Sequence, residues 1–257
     1  MINLVSLLAT AALLSQQCGV YGQLPEKLEM NNNIVPDEIP SVRRGPPTGY
    51  IKLKSPPPQT VRALPGSSFV LQCIISGSPA PIINWMKNGV PISDFEEEGN
   101  EILSSPEFSP ALMIGKLVVR RPSNGDVFTC VGSTGVDEIT ASTTVIVEGD
   151  QSDILTEMVP MKPLITAYYK DIMQHVGTSI TLPCRYESNI KSQVIWVGNM
   201  SNVLHNNSRM RILPSGDLHI NVLKWQDMGG YYCTVKNALG KDTSETFVYP
   251  VQITKQF

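Results

Sequence analysis

The sequence predicts an all-β protein built as two tandem β-sandwiches. Three observations predict it: a cysteine–tryptophan–cysteine spacing that occurs twice, alternation of apolar and polar residues around those cysteines, and a turn-rich composition. Gly and Pro number 19 and 20 among 257 residues, and 42% of residues are hydrophobic, enough for ordinary globular cores. Charged residues make up only 17%, which argues against a long coiled coil. The net charge of −3 argues against nucleic-acid binding, which draws on a basic surplus.

Residues 1–22 read as a secretory signal peptide. Leu4 to Leu14 is an apolar run too short to span a bilayer, and Val20, Tyr21 and Gly22 fit a cleavage site. No later stretch is long and apolar enough to span a membrane, and the C-terminus lacks a lipid-anchor tail. The expectation is a secreted, extracellular protein with no membrane anchor. Cys18 leaves with the leader, so four cysteines remain, an even number suited to an oxidising compartment.

Those four define the repeat. Trp85 follows Cys73 by twelve residues, and Trp196 follows Cys184 by twelve. Cys130 and Cys233 close the two copies, which lie 111 residues apart, the length of one immunoglobulin-like domain. In such a domain one disulfide bridges two sheets about 10 Å apart, and an indole fills the space against it. The expected bonds are therefore Cys73–Cys130 and Cys184–Cys233, with Trp85 and Trp196 as core tryptophans. Each bond closes a loop of some fifty residues, worth roughly 4 kcal/mol in the chain-entropy account.

The strands follow by alternation. Phe69, Leu71 and Cys73 share one face, as do Ile180, Leu182 and Cys184, and Leu218, Ile220 and Val222. Pro183 has no amide donor and predicts an edge or irregular site. Asp227, Gly229, Tyr231 and Cys233 form the pattern D-x-G-x-Y-x-C, so Tyr231 is expected to make the tyrosine corner. This pattern resembles the intermediate set of immunoglobulin domains. The first copy departs from it: Phe128 stands at the tyrosine position and has no hydroxyl to donate. Trp225, just before Asp227, is expected to cap the lower end of the core.

The expected organisation is a leader (1–22), a Pro-rich N-terminal arm (23–49), a first immunoglobulin-like domain (50–147), a linker (148–162) and a second domain (163–253). The linker ends in the apolar cluster Met158, Val159, Pro160 and Met161. Methionine adapts to irregular surfaces. The cluster is expected to fix the two domains against each other, and Met158, Val159 and Met161 are candidate binding contacts if a partner lies along the junction.

Catalysis finds no support. His175, His205 and His219 are scattered without metal-ligand spacing, no free thiol remains, and no phosphate-binding loop appears. Glu96, Glu97 and Glu98 read as a solvated charge run, and Arg120 and Arg121 as a turn edge. No enzyme, cofactor or metal is expected. Two sequons stand in the polar stretch after Trp196, so Asn199 and Asn206 are expected to carry glycans.

The run from Leu213 through Asp217, Trp225 and Gly230 to Cys233 is more specific than the fold, as is Gly240 to Val251. Both strongly resemble the insect neural/ectodermal development factor (imaginal morphogenesis protein late-two) family. Cys130 to Gly135 and Ala141 to Val145 resemble it in the first domain. The resemblance implies a secreted pair of immunoglobulin-like domains that binds insulin-like peptide hormones and antagonises insulin signalling. Composition and spacing imply only a disulfide-bonded two-domain binder. The alternative is a secreted cell-adhesion or axon-guidance ligand that binds cell-surface proteins.

Overall fold

Cys73 and Cys130 sit on facing sheets, and Cys184, between two short strands, faces Cys233 in the same way; the strands around them set the architecture. The computed structural model describes residues 49–92, 108–149 and 161–252. All of them lie in one unit, 45–257.

The first sandwich contains β1 (Tyr50–Ser55), β2 (Thr60–Ala63), β3 (Ser68–Ser78), β4 (Ile82–Lys87), β5 (Val90–Pro91), β6 (Ala111–Arg120), β7 (Val127–Ser133) and β8 (Glu138–Val147). One sheet is ordered β1-β3-β6 and the other β2-β8-β7-β4-β5. Period-two burial puts Leu71, Cys73 and Ile75 of β3 inside, against Cys130 of β7 and Trp85 of β4. The Cys73–Cys130 disulfide joins the sheets with Cα atoms 6.5 Å apart.

The second sandwich contains β9 (Leu164–His175), β10 (Ile180–Leu182), β11 (Arg185–Glu187), β12 (Gln193–Val197), β13 (Met210–Ile212), β14 (Leu218–Ile220), β15 (Gly229–Asn237) and β16 (Gly240–Val251). One sheet is β10-β14-β13; the other carries β9-β16-β15-β12, with β11 also on β9. Pro183 marks the place where the chain changes sheets. β10 pairs with β14 before it, and β11 pairs with β9 after it. With the ladder broken there, the Cys184 amide donates to Asp217 Oδ1 at 2.9 Å instead. Asp217 also receives the Arg185 guanidinium at 2.7 Å, a buried ion pair beside the Cys184–Cys233 disulfide.

The two sandwiches share a sheet. The first half of β9 runs antiparallel to β6, from Gly115 opposite Ala167 to Ala111 opposite Ile172. Its second half runs parallel to β16, from Asp171 beside Phe247 to His175 beside Val251. A bulge at Lys170 interrupts the β6 ladder, because Leu112 pairs with Asp171 while Met113 pairs with Tyr169, and beyond it Asp171 and Ile172 pair with both β6 and β16. The result is the continuous order β1-β3-β6-β9-β16-β15-β12. Ile165, Tyr169 and Ile172 point inward and are buried, so β9 is anchored by its own core face.

Two expectations are corrected. Val222 does not continue the inward face of Leu218 and Ile220. β14 ends at Ile220, Val222 adopts φ +53°, and Leu223 turns into the core instead. Trp225 does not cap the core either. It lies on the 3-10 turn Trp225–Asp227 and is 54% exposed, while Asp227 of the same turn points inward.

Candidate functional site

A joined sheet has one face that its own sandwiches cover and one that they do not. Side chains alternate along each strand, so the outward positions can be read from the register. Ile114 of β6 stands opposite Ile74 of β3 and Tyr168 of β9. Met173 of β9 stands beside Tyr249 of β16, and Phe247 of β16 lies between Asp171 and Gly230 of β15. Tyr232 of β15 faces Glu245 of β16. Tyr168, Met173, Phe247, Tyr249 and Tyr232 form an apolar and aromatic band on the second sandwich, and the buried Ile114 adjoins it from the first.

The band is ordered by local contacts. The Phe247 and Tyr249 rings pack with centroids 4.3 Å apart. Tyr232 donates its hydroxyl to Glu245 Oε1 at 2.9 Å, and Lys170 approaches Glu245 Oε2 at 3.7 Å. The bulge thus turns a lysine toward the carboxylate that holds Tyr232. Lys116 Nζ lies 5.9 Å from the Tyr168 ring centre, within reach of a cation–π contact. Burial and the nearby Asp242 charge push the Tyr168 hydroxyl above its ordinary pKa, and the bond to Glu245 raises that of Tyr232. Both phenols therefore stay neutral near pH 7, each an apolar ring with a polar tip. Tyr232, Met173 and Tyr249 are each about two-fifths exposed.

At the start of β9 the face leads into a groove of about 210 Å³ lined by Val70, Val118, Met161, Pro163 and Leu164. This is where the structure places Met161, whose main chain is fixed on both sides. Its amide donates to Asn189 Oδ1 at 3.1 Å, and its carbonyl accepts from Asn237 Nδ2 at 2.8 Å. Both partners belong to the second sandwich, while Val70 and Val118 of the first line the groove beside Met161, whose side chain is partly exposed. Met158 and Val159 lie outside the described residues.

The remaining sequence candidates have structural surroundings. Trp196 is buried and donates Nε1–H to the Gly216 carbonyl at 2.9 Å. Tyr231 donates its hydroxyl to the Asp227 carbonyl at 3.0 Å, closing the corner, and burial pushes its pKa far up. Phe128 is buried at the matching place in the first sandwich. Trp85 is also buried, but its Nε1–H has no hydrogen-bond partner among the described residues. Asn199 and Asn206 flank the stretch between β12 and β13. His219 bonds Thr181 Oγ1 at 3.0 Å, and the His175 ring lies 5.3 Å from Phe108. Arg120 pairs with Glu187 across the sandwich junction. Glu96 to Glu98 lie outside the described residues. Among the described residues, no group of three or more His, Cys, Asp or Glu side chains is placed to hold a metal ion.

Sequence reasoning missed the outward band. Alternation separates an inner from an outer face, but it does not tell which strands lie side by side. The signal that was available is β9 itself: twelve residues with Tyr168, Tyr169 and Met173 are longer than one sandwich edge requires.

With this geometry in place, comparison with known proteins is informative. The immunoglobulin I-set domain family matches residues 52–147 and 163–249. The chain is 31% identical over 229 residues to neural/ectodermal development factor IMP-L2 of Drosophila melanogaster, covering 87% of this chain and 85% of that protein. It is 29% identical to Zwei Ig domain protein zig-4 of Caenorhabditis elegans, over 82% of this chain and 84% of the other. The crystal structure of neural ectodermal development factor IMP-L2 superposes with a TM-score of 0.68 at 29% identity, covering 79% of this chain and 96% of that one. Roundabout homolog 3 of Homo sapiens is 26% identical over 79% of this chain, but only 14% of its own length is matched. No helix among the described residues is long and apolar enough to cross a membrane.

Proposed function

Because this chain belongs to the neural/ectodermal development factor IMP-L2 family, with two immunoglobulin I-set domains, we propose that it is a secreted binding protein that sequesters insulin-like peptide hormones and antagonises insulin signalling. The observation that carries the reading is the accessible band from Tyr168 to Phe247, Tyr249 and Tyr232 on one joined sheet. Insulin-like peptides present an apolar receptor-binding surface, and a binder for them needs an apolar surface of its own. Aromatic rings with polar tips suit such a contact, since they bury large areas at small entropic cost.

The mechanism is occupancy. Hormone held on the face is withheld from its receptor, to an extent set by binder concentration relative to Kd. No turnover, cofactor or metal takes part. The lysines among the tyrosines, Lys116 and Lys170, would favour a hormone surface edged by carboxylates.

A second reading, a secreted ligand for cell-surface proteins in adhesion or axon guidance, is favoured by the similarity to Roundabout homolog 3. One experiment separates the two: labelled insulin-like peptide and a panel of cell-surface ectodomains are offered to the purified chain in parallel. Capture of the peptide alone supports sequestration. Capture of an ectodomain alone replaces it with the second reading.

A further inference from the structure

The two sequon asparagines spend their side chains differently. Asn199 follows β12 and packs against β15: a Cβ added to Gly229 would lie 2.8 Å from Asn199 Cβ. Its amide nitrogen makes two bonds, to the Gln226 carbonyl at 2.7 Å and the Met228 carbonyl at 3.0 Å. Both amide hydrogens are therefore committed, and they tie the end of β12 to the 3-10 turn that carries Asp227. A carbonyl cannot donate, so no flip of this amide satisfies both acceptors.

Asn206 has the reverse arrangement. It is exposed, and its carbonyl oxygen accepts from the Ile212 amide at 2.7 Å. The neighbouring Asn207 carbonyl accepts from the Arg209 and Met210 amides at 2.8 and 2.9 Å. These oxygens cover the outer edge of β13, which pairs with β14 on its other side. Among the described residues the Asn206 amide nitrogen has no hydrogen-bond partner, so the group that a glycan modifies is the group left over.

We propose that Asn206 carries the N-linked glycan and that Asn199 remains unmodified. In the transfer, Asn206 Nδ2 loses one proton and forms a bond to the anomeric carbon of a lipid-diphosphate-linked oligosaccharide. The bond from that carbon to the diphosphate oxygen breaks, and the lipid diphosphate leaves with the electron pair, the released proton passing to solvent. In the folded chain a modified Asn206 still accepts the Ile212 amide through its carbonyl oxygen. The same substitution at Asn199 would leave one hydrogen for two carbonyls and force a sugar between Gln226 and Met228, so a chain modified there fails to fold and is not secreted. A glycan at Asn206 also blunts the open edge of β13 against pairing with another chain. It lies on the three-stranded sheet, and the joined sheet's outer face stays uncovered.

The test is peptide mapping of the full chain secreted from insect cells, after glycosidase release in heavy-oxygen water. The expected result is labelled aspartate at position 206 and plain asparagine at position 199. Labelled aspartate at 199, or none at 206, overturns the proposal. Sequon variants provide a second readout. Ser208→Ala leaves both asparagines in place and is expected to remove all glycan mass. Ser201→Ala is expected to leave the mass of the attached glycan unchanged, and a loss of glycan mass there contradicts the proposal. Asn199→Gln is expected to lower the melting temperature by about 4–8 °C without changing glycan mass.

Discussion

Ala167 of β9 lies directly opposite Gly115 of β6, in a single antiparallel ladder that leaves one sandwich and enters the other. Packing against the facing sheet requires a small residue at this point of β6. A Cβ at Gly115 would stand 2.7 Å from Ile83 Cγ2 and 3.0 Å from Ile83 Cβ, so the glycine lets β4 of the facing sheet approach. The junction is thus backbone pairing built on close packing, with the exposed Arg120–Glu187 pair as an accessory.

The first prediction concerns that contact. Gly115→Val overpacks the space beside Ile83 and is expected to destabilise the chain by about 1–3 kcal/mol. Thermal unfolding measures it. An unchanged melting temperature would mean that Ile83 moves freely and that the glycine has no packing role.

Tyr231 provides a second test. Tyr231→Phe keeps the ring but leaves the Asp227 carbonyl without its donor. The expected loss is about 1 kcal/mol, since one buried hydrogen bond is removed at constant shape. Denaturant unfolding resolves a difference of that size. A variant as stable as the parent would show that the corner is redundant beside the Arg209–Asp227 pair.

Acid stability follows from two carboxylates. Burial alone would raise the pKa of Asp227, but the Arg209 guanidinium at 2.6 Å and the Lys224 amide outweigh it and hold the group below its ordinary value. In Asp126 burial is likewise outweighed, by bonds from the Ser123 amide, Lys87 and Asn88. A carboxyl depressed in the folded state stabilises the fold above its unfolded pKa, near 3.9, and loses that contribution as pH falls through the folded value. Stability is therefore expected to fall as pH drops below about 4. Asp171 opposes this weakly, because burial raises its pKa. Asp227→Asn should flatten the acid limb of a stability-versus-pH curve. A curve of unchanged steepness would contradict the assignment.

Much of the fold was legible because it is written in local patterns. Cys73 with Trp85, and Cys184 with Trp196, announce two sandwiches, and the structure contains both corresponding disulfides. Pro183 announced an irregularity, and it sits where the chain changes sheets. Val222 was misassigned because alternation cannot foresee a residue at positive φ that resets the phase. Trp225 was misassigned because a short 3-10 turn obeys neither strand nor helix periodicity. The joined sheet was not legible: Ala167 and Gly115 meet by tertiary packing, and each alone reads as an ordinary strand residue. The outer band depends on that meeting, so its residues could not be gathered from the sequence.

The central claim is that the outer face spanning both sandwiches holds the hormone. Its most direct test is a titration of insulin-like peptide into the full chain and into a Tyr168→Ala, Phe247→Ala double variant. Both residues are at least partly exposed, so truncation should leave the fold near its original melting temperature. Loss of two aromatic anchors is expected to weaken binding tenfold or more, about 1.4 kcal/mol or beyond. Unchanged affinity in a folded double variant would contradict the account and move the site off the joined sheet.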